Sequence, residues 1–164
     1  MVIETHCPGC GVLLPEVEGP SHRYMHSSPA CWQAFGQILE REYSRPELFE
    51  VHRLCVDSYA VQHPGSTSRQ AIQSVGLHLV RLCWFLERGL SATDANDALL
   101  NATKHKADMT WLKPPESLGD VNVKVVLAAE GVEQHKAAVR AWADSAWKAW
   151  SSHHDVIRRW ADTA

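Results

Sequence analysis

Residues 132–161 read VEQHKAAVRAWADSAWKAWSSHHDVIRRWA. His135, Val139, Trp142, Ala146, Trp150, His153, Ile157 and Trp160 follow the 3.6-residue period, and at 1.5 Å per residue the run would extend about 45 Å. This pattern predicts one long helix that closes a helical bundle. Trp142, Trp147, Trp150 and Trp160 cover more than one of its faces, so some reach a second surface: core, ligand pocket or dimer interface.

The preceding chain supplies the rest of the bundle. Ser28-Pro29-Ala30-Cys31 reads as an N-cap with Pro at the first helical position, opening a helix to about Tyr43. Ser44-Arg45-Pro46-Glu47 has the form of a capping box for a second helix ending near Gln62, before Pro64-Gly65. A third helix, about Thr67 to Arg88, carries the stripe Ile72, Val75, Leu79, Leu82 and Leu86. A shorter one begins at Ser91 and runs to about Lys104. Residues 121–130 fit a strand or a short helix, and helix is favoured. The fold class expected is all-α, a bundle of about five helices over residues 28–164. Its loop-rich head spans residues 1–31, in one domain of 1–164. In residues 1–27, Pro8, Gly9, Gly11, Pro15, Gly19 and Pro20 leave room for at most a hairpin around Val12-Leu13-Leu14.

Composition narrows the partners. Of 164 residues, 45% are hydrophobic and 21% charged, and 16 basic against 19 acidic residues give a formal charge of −3. A polyanion-binding surface is not visible in that balance, so nucleic acid is not an expected partner. No stretch has the eighteen or so apolar residues of a membrane span, and the start lacks a signal-peptide pattern, so a cytoplasmic location is expected. Thiols stay reduced there, which turns attention to the five Cys, three of them within residues 1–31.

Cys7-Pro8-Gly9-Cys10-Gly11 has the shape of a zinc knuckle: two thiolates three residues apart chelate one ion, and small residues permit the turn between them. A redox pair would follow a strand of a βαβ unit, and none is expected before Cys7. Cys31, at a helix N-terminus that lowers thiol pKa, is the natural third ligand. His22 is preferred as the fourth because its loop is free to fold back, with His26 left open. Such a zinc is structural, since four protein ligands leave no position for substrate.

The run His52-Arg53-Leu54-Cys55-Val56-Asp57-Ser58-Tyr59-Ala60-Val61-Gln62-His63-Pro64-Gly65, with the C-P-G-C-G opening, resembles a family of small bacterial proteins catalogued as a domain of unknown function. The likeness takes in C-P-x-C-G, V-D-x-Y-x-x-Q-H-P-G and A-W-A motifs and spans nearly the whole chain. It implies that His22, Asp57, His63, His78 and His135 belong to the family pattern, and it implies no substrate.

A second constellation comes from the interior histidines. Asp57, His63, His78 and His135 would make an open catalytic centre for a second divalent metal if they converged, with His63, His78 and His135 as ligands. Asp57 lies about 140° around the helix from His52, which leaves His52 as an outer or alternative ligand. Against this, histidines on apolar faces often only satisfy a neighbouring carbonyl or carboxylate. Cys55 and Cys83 read as small hydrophobes rather than nucleophiles.

Two functions fit. One is a small metalloenzyme performing metal-assisted hydrolysis or group transfer on a small molecule. The other is a noncatalytic zinc-binding module whose Trp-rich helix binds a partner or forms a homodimer. The chain has no glycine-rich phosphate loop, serine-nucleophile elbow or di-iron Glu-x-x-His pair.

Overall fold

Ser28 opens the first helix because its extended backbone (φ −72°, ψ 155°) leaves its hydroxyl free to accept from the Cys31 N–H, 3.1 Å away, and Pro29 follows without needing a donor. The computed structural model describes residues 1–163 and has seven α-helices among them: α1 Pro29–Tyr43, α2 Phe49–Gln62, α3 Arg69–Leu86, α4 Ala92–Ala102, α5 Val123–Leu127, α6 Gly131–Ala149 and α7 His154–Asp162. Its one sheet is an antiparallel hairpin of β1 Glu4–His6 and β2 Leu13–Pro15, with Thr5 opposite Leu14. The expected all-α bundle with a loop-rich head is what forms. No described helix is long and apolar enough to cross a membrane.

The apolar stripe of α3 packs α3 between α2 and α7, while α2 also packs on α6, and α1 holds α5. Two clusters of buried side chains result. Leu79, Leu82, Trp84, Ala146, Trp150 and Ile157 build one around α3, α6 and α7. Phe35, Ile38, Val51, Tyr59, Val139 and Trp142 build the other beneath the head. Each fully buried aliphatic or aromatic side chain contributes about 1.5–3 kcal/mol relative to exposure; the first cluster contains no head residue, whereas Val12 and Leu14 of the hairpin are buried in the second.

Several boundaries differ from the sequence reading. The expected long terminal helix is two helices. Trp150 (φ −89°, ψ 13°) leaves helical geometry at Ser151-Ser152, and a 3₁₀ turn over Ser151–His153 redirects the chain. The break is held by Trp150 Nε1–H donating to the Val61 carbonyl at 3.1 Å and by His154 stacking on Trp147 at 3.8 Å. It lets α7 turn onto α3, where Trp84 Nε1–H reaches the Ala161 carbonyl. Trp142, Trp147 and Trp150 are all buried, so these rings are spent on the core rather than offered to a partner.

The capping box at Ser44 is not used. Pro46–Leu48 forms a 3₁₀ turn instead, and Ser44 caps the C-terminus of α1, its hydroxyl donating to the Arg41 carbonyl. Residues 123–127 are helical, as favoured, because Asn122 accepts from the Lys124 N–H as N-cap. A strand does precede Cys7, but it is one arm of the hairpin and not part of a βαβ unit.

Candidate metal centre

Cys7 and Cys10 stand at the tip of the hairpin, where Gly11 N–H donates to the Cys7 carbonyl and Cys7 N–H to the Val12 carbonyl, both at 2.9 Å. Gly9 is required by close approach: a side chain there would collide with the His26 carbonyl and reach 2.5 Å from His63 Cδ2. Cys31 sits in the first turn of α1. His63 is the C-cap of α2, and its backbone (φ −130°, ψ 61°) leaves the helix just before Pro64.

These three segments bring Cys7, Cys10, Cys31 and His63 together, with one ligand atom from each lying within 4.8 Å of all the others. Cys10 Sγ is 3.8 Å from Cys31 Sγ, and Cys31 Sγ is 3.4 Å from His63 Nε2. The His63 Nδ1–H donates to the Tyr59 carbonyl at 2.6 Å, which fixes the tautomer and turns the Nε2 lone pair toward the sulfurs. Tyr59 stacks on the His63 ring at 4.0 Å and on Phe35 at 3.9 Å, so the imidazole cannot rotate away. Cys7, Cys31 and His63 are buried.

Three thiols this close cannot all ionise without a compensating cation. Hydrogen bonds with Cys10 and then Cys31 hold Cys7 far below the ordinary thiol range, and hydrogen bonds with Cys10 and then Cys7 push Cys31 far above it. Three sulfurs and one imidazole nitrogen thus converge on one point, a donor set that could hold a metal ion.

His22, preferred from the sequence as fourth ligand, is elsewhere. Its Nδ1 accepts from the Tyr24 and Met25 N–H groups at 3.3 Å, and its ring packs edge-on against Tyr24 and Trp32. Burial, then Arg23 and His78, lower its pKa, keeping it neutral as a turn acceptor. His26, the open alternative, is exposed.

The expected open centre of Asp57, His63, His78 and His135 does not assemble. Its members belong to three different places, and among the described residues only the cysteine cluster with His63 forms a metal-capable group. Asp57 is fully buried and held by Arg81, whose Nε lies 2.9 Å from Oδ1 and 3.1 Å from Oδ2, and by His78 Nδ1–H at 2.7 Å. His135 is also fully buried. It donates Nε2–H to Glu42 Oε1 at 2.8 Å and accepts from Arg41 at Nδ1. His52 donates Nδ1–H to the other Glu42 oxygen at 2.7 Å.

The physical reason is helical geometry. Asp57 faces α3 from the middle of α2, whereas His63, six residues on and outside the helix, faces the head. Sequence reasoning did not find Glu42, a buried carboxylate bridging two imidazoles, or Arg81 as the countercharge of Asp57. Arg81 had a signal, being a cation three residues from His78 within an apolar helix. Cys55 and Cys83 are buried thiols whose pKa burial raises, as expected for packing residues.

The chain belongs to DUF5946, a family of unknown function whose model matches residues 5–151. No curated protein and no solved structure matches the chain.

Proposed function

We propose that the protein is a zinc-binding helical module in which Cys7, Cys10, Cys31 and His63 hold one ion at a closed, structural site. The observation that carries this is the mutual approach of the four ligand atoms within 4.8 Å. Three soft thiolates and one imidazole are a donor set suited to zinc, and four protein ligands leave no open position at which to bind or activate a substrate. The second partner of the ligand imidazole, the Tyr59 carbonyl, is of the kind that orients metal-bound histidines.

What these residues would do is mechanical. The site joins the hairpin tip, the start of α1 and the end of α2, three segments far apart in sequence. The ordering of the head, at about 1–2 kcal/mol per residue of backbone entropy, is offset by coordination instead of by a core of its own. The metalloenzyme reading lacks matching support, since Asp57 is bonded to His78 and Arg81 while His135 is bonded to Glu42.

The test is metal content by elemental analysis after exhaustive dialysis. One zinc per chain supports the reading; a second bound ion that survives Cys10→Ala would contradict it.

A further inference from the structure

Asp57, fully buried, is bonded to His78 and Arg81, two of the residues that line a cleft of about 300 Å³ between α3, the C-terminal part of α4 and the head loop at Tyr24. Gln70, Gln73, Ser74, His78 and Arg81 line one wall, all from a single face of α3, as spacings of three and four residues require. Thr103 and Lys106 come from the opposite side. The segment bearing Lys106 is docked on α3 by Arg69 donating to the Met109 carbonyl at 2.8 Å and by Met109 Sδ lying against Gly76.

The lining is rich in donors and carries no acidic side chain. By contrast, larger clefts elsewhere include Asp120 and Asp144, or Glu18 and Glu40. Beside the cleft the charges are ordered. Asp57 is neutralised by Arg81 and accepts from His78 Nδ1–H, which fixes that ring. His78 is partly exposed, and among the described residues its Nε2 has no hydrogen-bond partner. Lys106 is exposed, and among the described residues its ammonium has no hydrogen-bond partner.

We propose that this cleft binds the oxyanion group of a small molecule, with Lys106 and the Asp57-oriented His78 as its anchors. The proposal goes beyond the structural metal reading and does not depend on it. A carboxylate or phosphate oxygen placed at His78 Nε2 favours the imidazolium, because Asp57 lies on the other nitrogen, so the ligand and a proton enter together. The charged and titratable groups around that ring are Asp57 from α2, Arg81 from α3, Lys106 beyond α4, and Tyr24, Arg23 and His22 from the head loop. The amides of Gln70 and Gln73 and the hydroxyl of Ser74 supply neutral donors for the remaining oxygens. The volume is at the lower end of ligand pockets and suits a metabolite-sized molecule rather than a polymer.

The test is an NMR titration of the isotope-labelled, metal-loaded protein with inorganic phosphate, with sodium chloride at matched ionic strength as control. The proposal expects saturable shifts confined to residues 70–81 and Lys106, with the His78 ring nitrogens moving toward the protonated form. Lys106→Gln, an exposed change, should weaken the apparent affinity at least fivefold with metal content unaltered. His78→Asn should weaken it similarly and remove the ring response. Shifts reproduced by chloride, no saturable shift, or a Lys106→Gln protein that titrates like the parent would each overturn it.

Discussion

Cys31 Sγ and His63 Nε2 stand 3.4 Å apart across 32 residues of chain, the first in the opening turn of α1 and the second just past the end of α2. No local sequence motif connects them; the packing of α1 and α2 does. Their pairing makes His63, and not His22, the residue on which metal retention should depend. His63→Ala should therefore lose most of its zinc on dialysis against a chelator, and His22→Ala should retain one ion per chain. Elemental analysis of both proteins checks this, and loss from His22→Ala alone would reverse the assignment.

Removing the metal should act on the head and spare the bundle. The α3, α6 and α7 cluster contains no ligand, so its amides should keep their exchange protection in the chelated protein. Residues 1–27 should lose theirs. Acid should mimic the chelator, because thiolate and neutral imidazole are the binding forms and protons compete for both; stability contributed by the metal is present at neutral pH and lost as pH falls. Hydrogen exchange with and without chelator reads the first effect, and melting temperature against pH reads the second.

Much of this architecture is legible in the sequence because it rests on local rules. The stripe of α3, the Ser28 cap and the approach of Cys7 to Cys10 depend on neighbours a few residues away, and each is found in the structure. The fourth ligand does not depend on them. His22 is preferred for its nearness in sequence, and His63, 32 residues beyond Cys31, reads as part of the interior constellation; its place in the cluster depends on where α2 ends relative to the hairpin tip, a tertiary fact. The break at Trp150 is hidden for a related reason: the helical period continues through it, and only the demand of α3 for a covering helix turns the chain back. His78 and His135 read as candidate ligands of one interior centre, but their partners Asp57 and Glu42 come from different helices, which periodicity cannot pair.

Gly9→Ala tests the close approach at the knuckle. A methyl group there meets the His26 carbonyl and the His63 ring, so the hairpin tip must withdraw from α2. Zinc affinity should fall by at least tenfold, about 1.4 kcal/mol, while far-ultraviolet helicity is retained. A competition titration with a chromophoric chelator measures it.

Arg81→Ala leaves the buried Asp57 carboxylate with only His78. Breaking a buried pair from one side costs about 3–5 kcal/mol, and removing both charges recovers much of that loss. Urea denaturation of metal-loaded Arg81→Ala should show a drop of that size, and the double variant Asp57→Asn, Arg81→Met should lie closer to the parent. Equal losses in the two proteins would mean that the pair does not act as a unit.

The central claim is a single ion held by three sulfurs and one nitrogen, and X-ray absorption at the zinc edge of the purified protein tests it most directly. The account predicts one zinc per chain with a first shell of three sulfurs at about 2.3 Å and one imidazole nitrogen at about 2.0 Å, the nitrogen signal vanishing in His63→Ala. A shell of two sulfurs and two nitrogens, a shell containing water oxygen, or a nitrogen signal that persists in His63→Ala would contradict it.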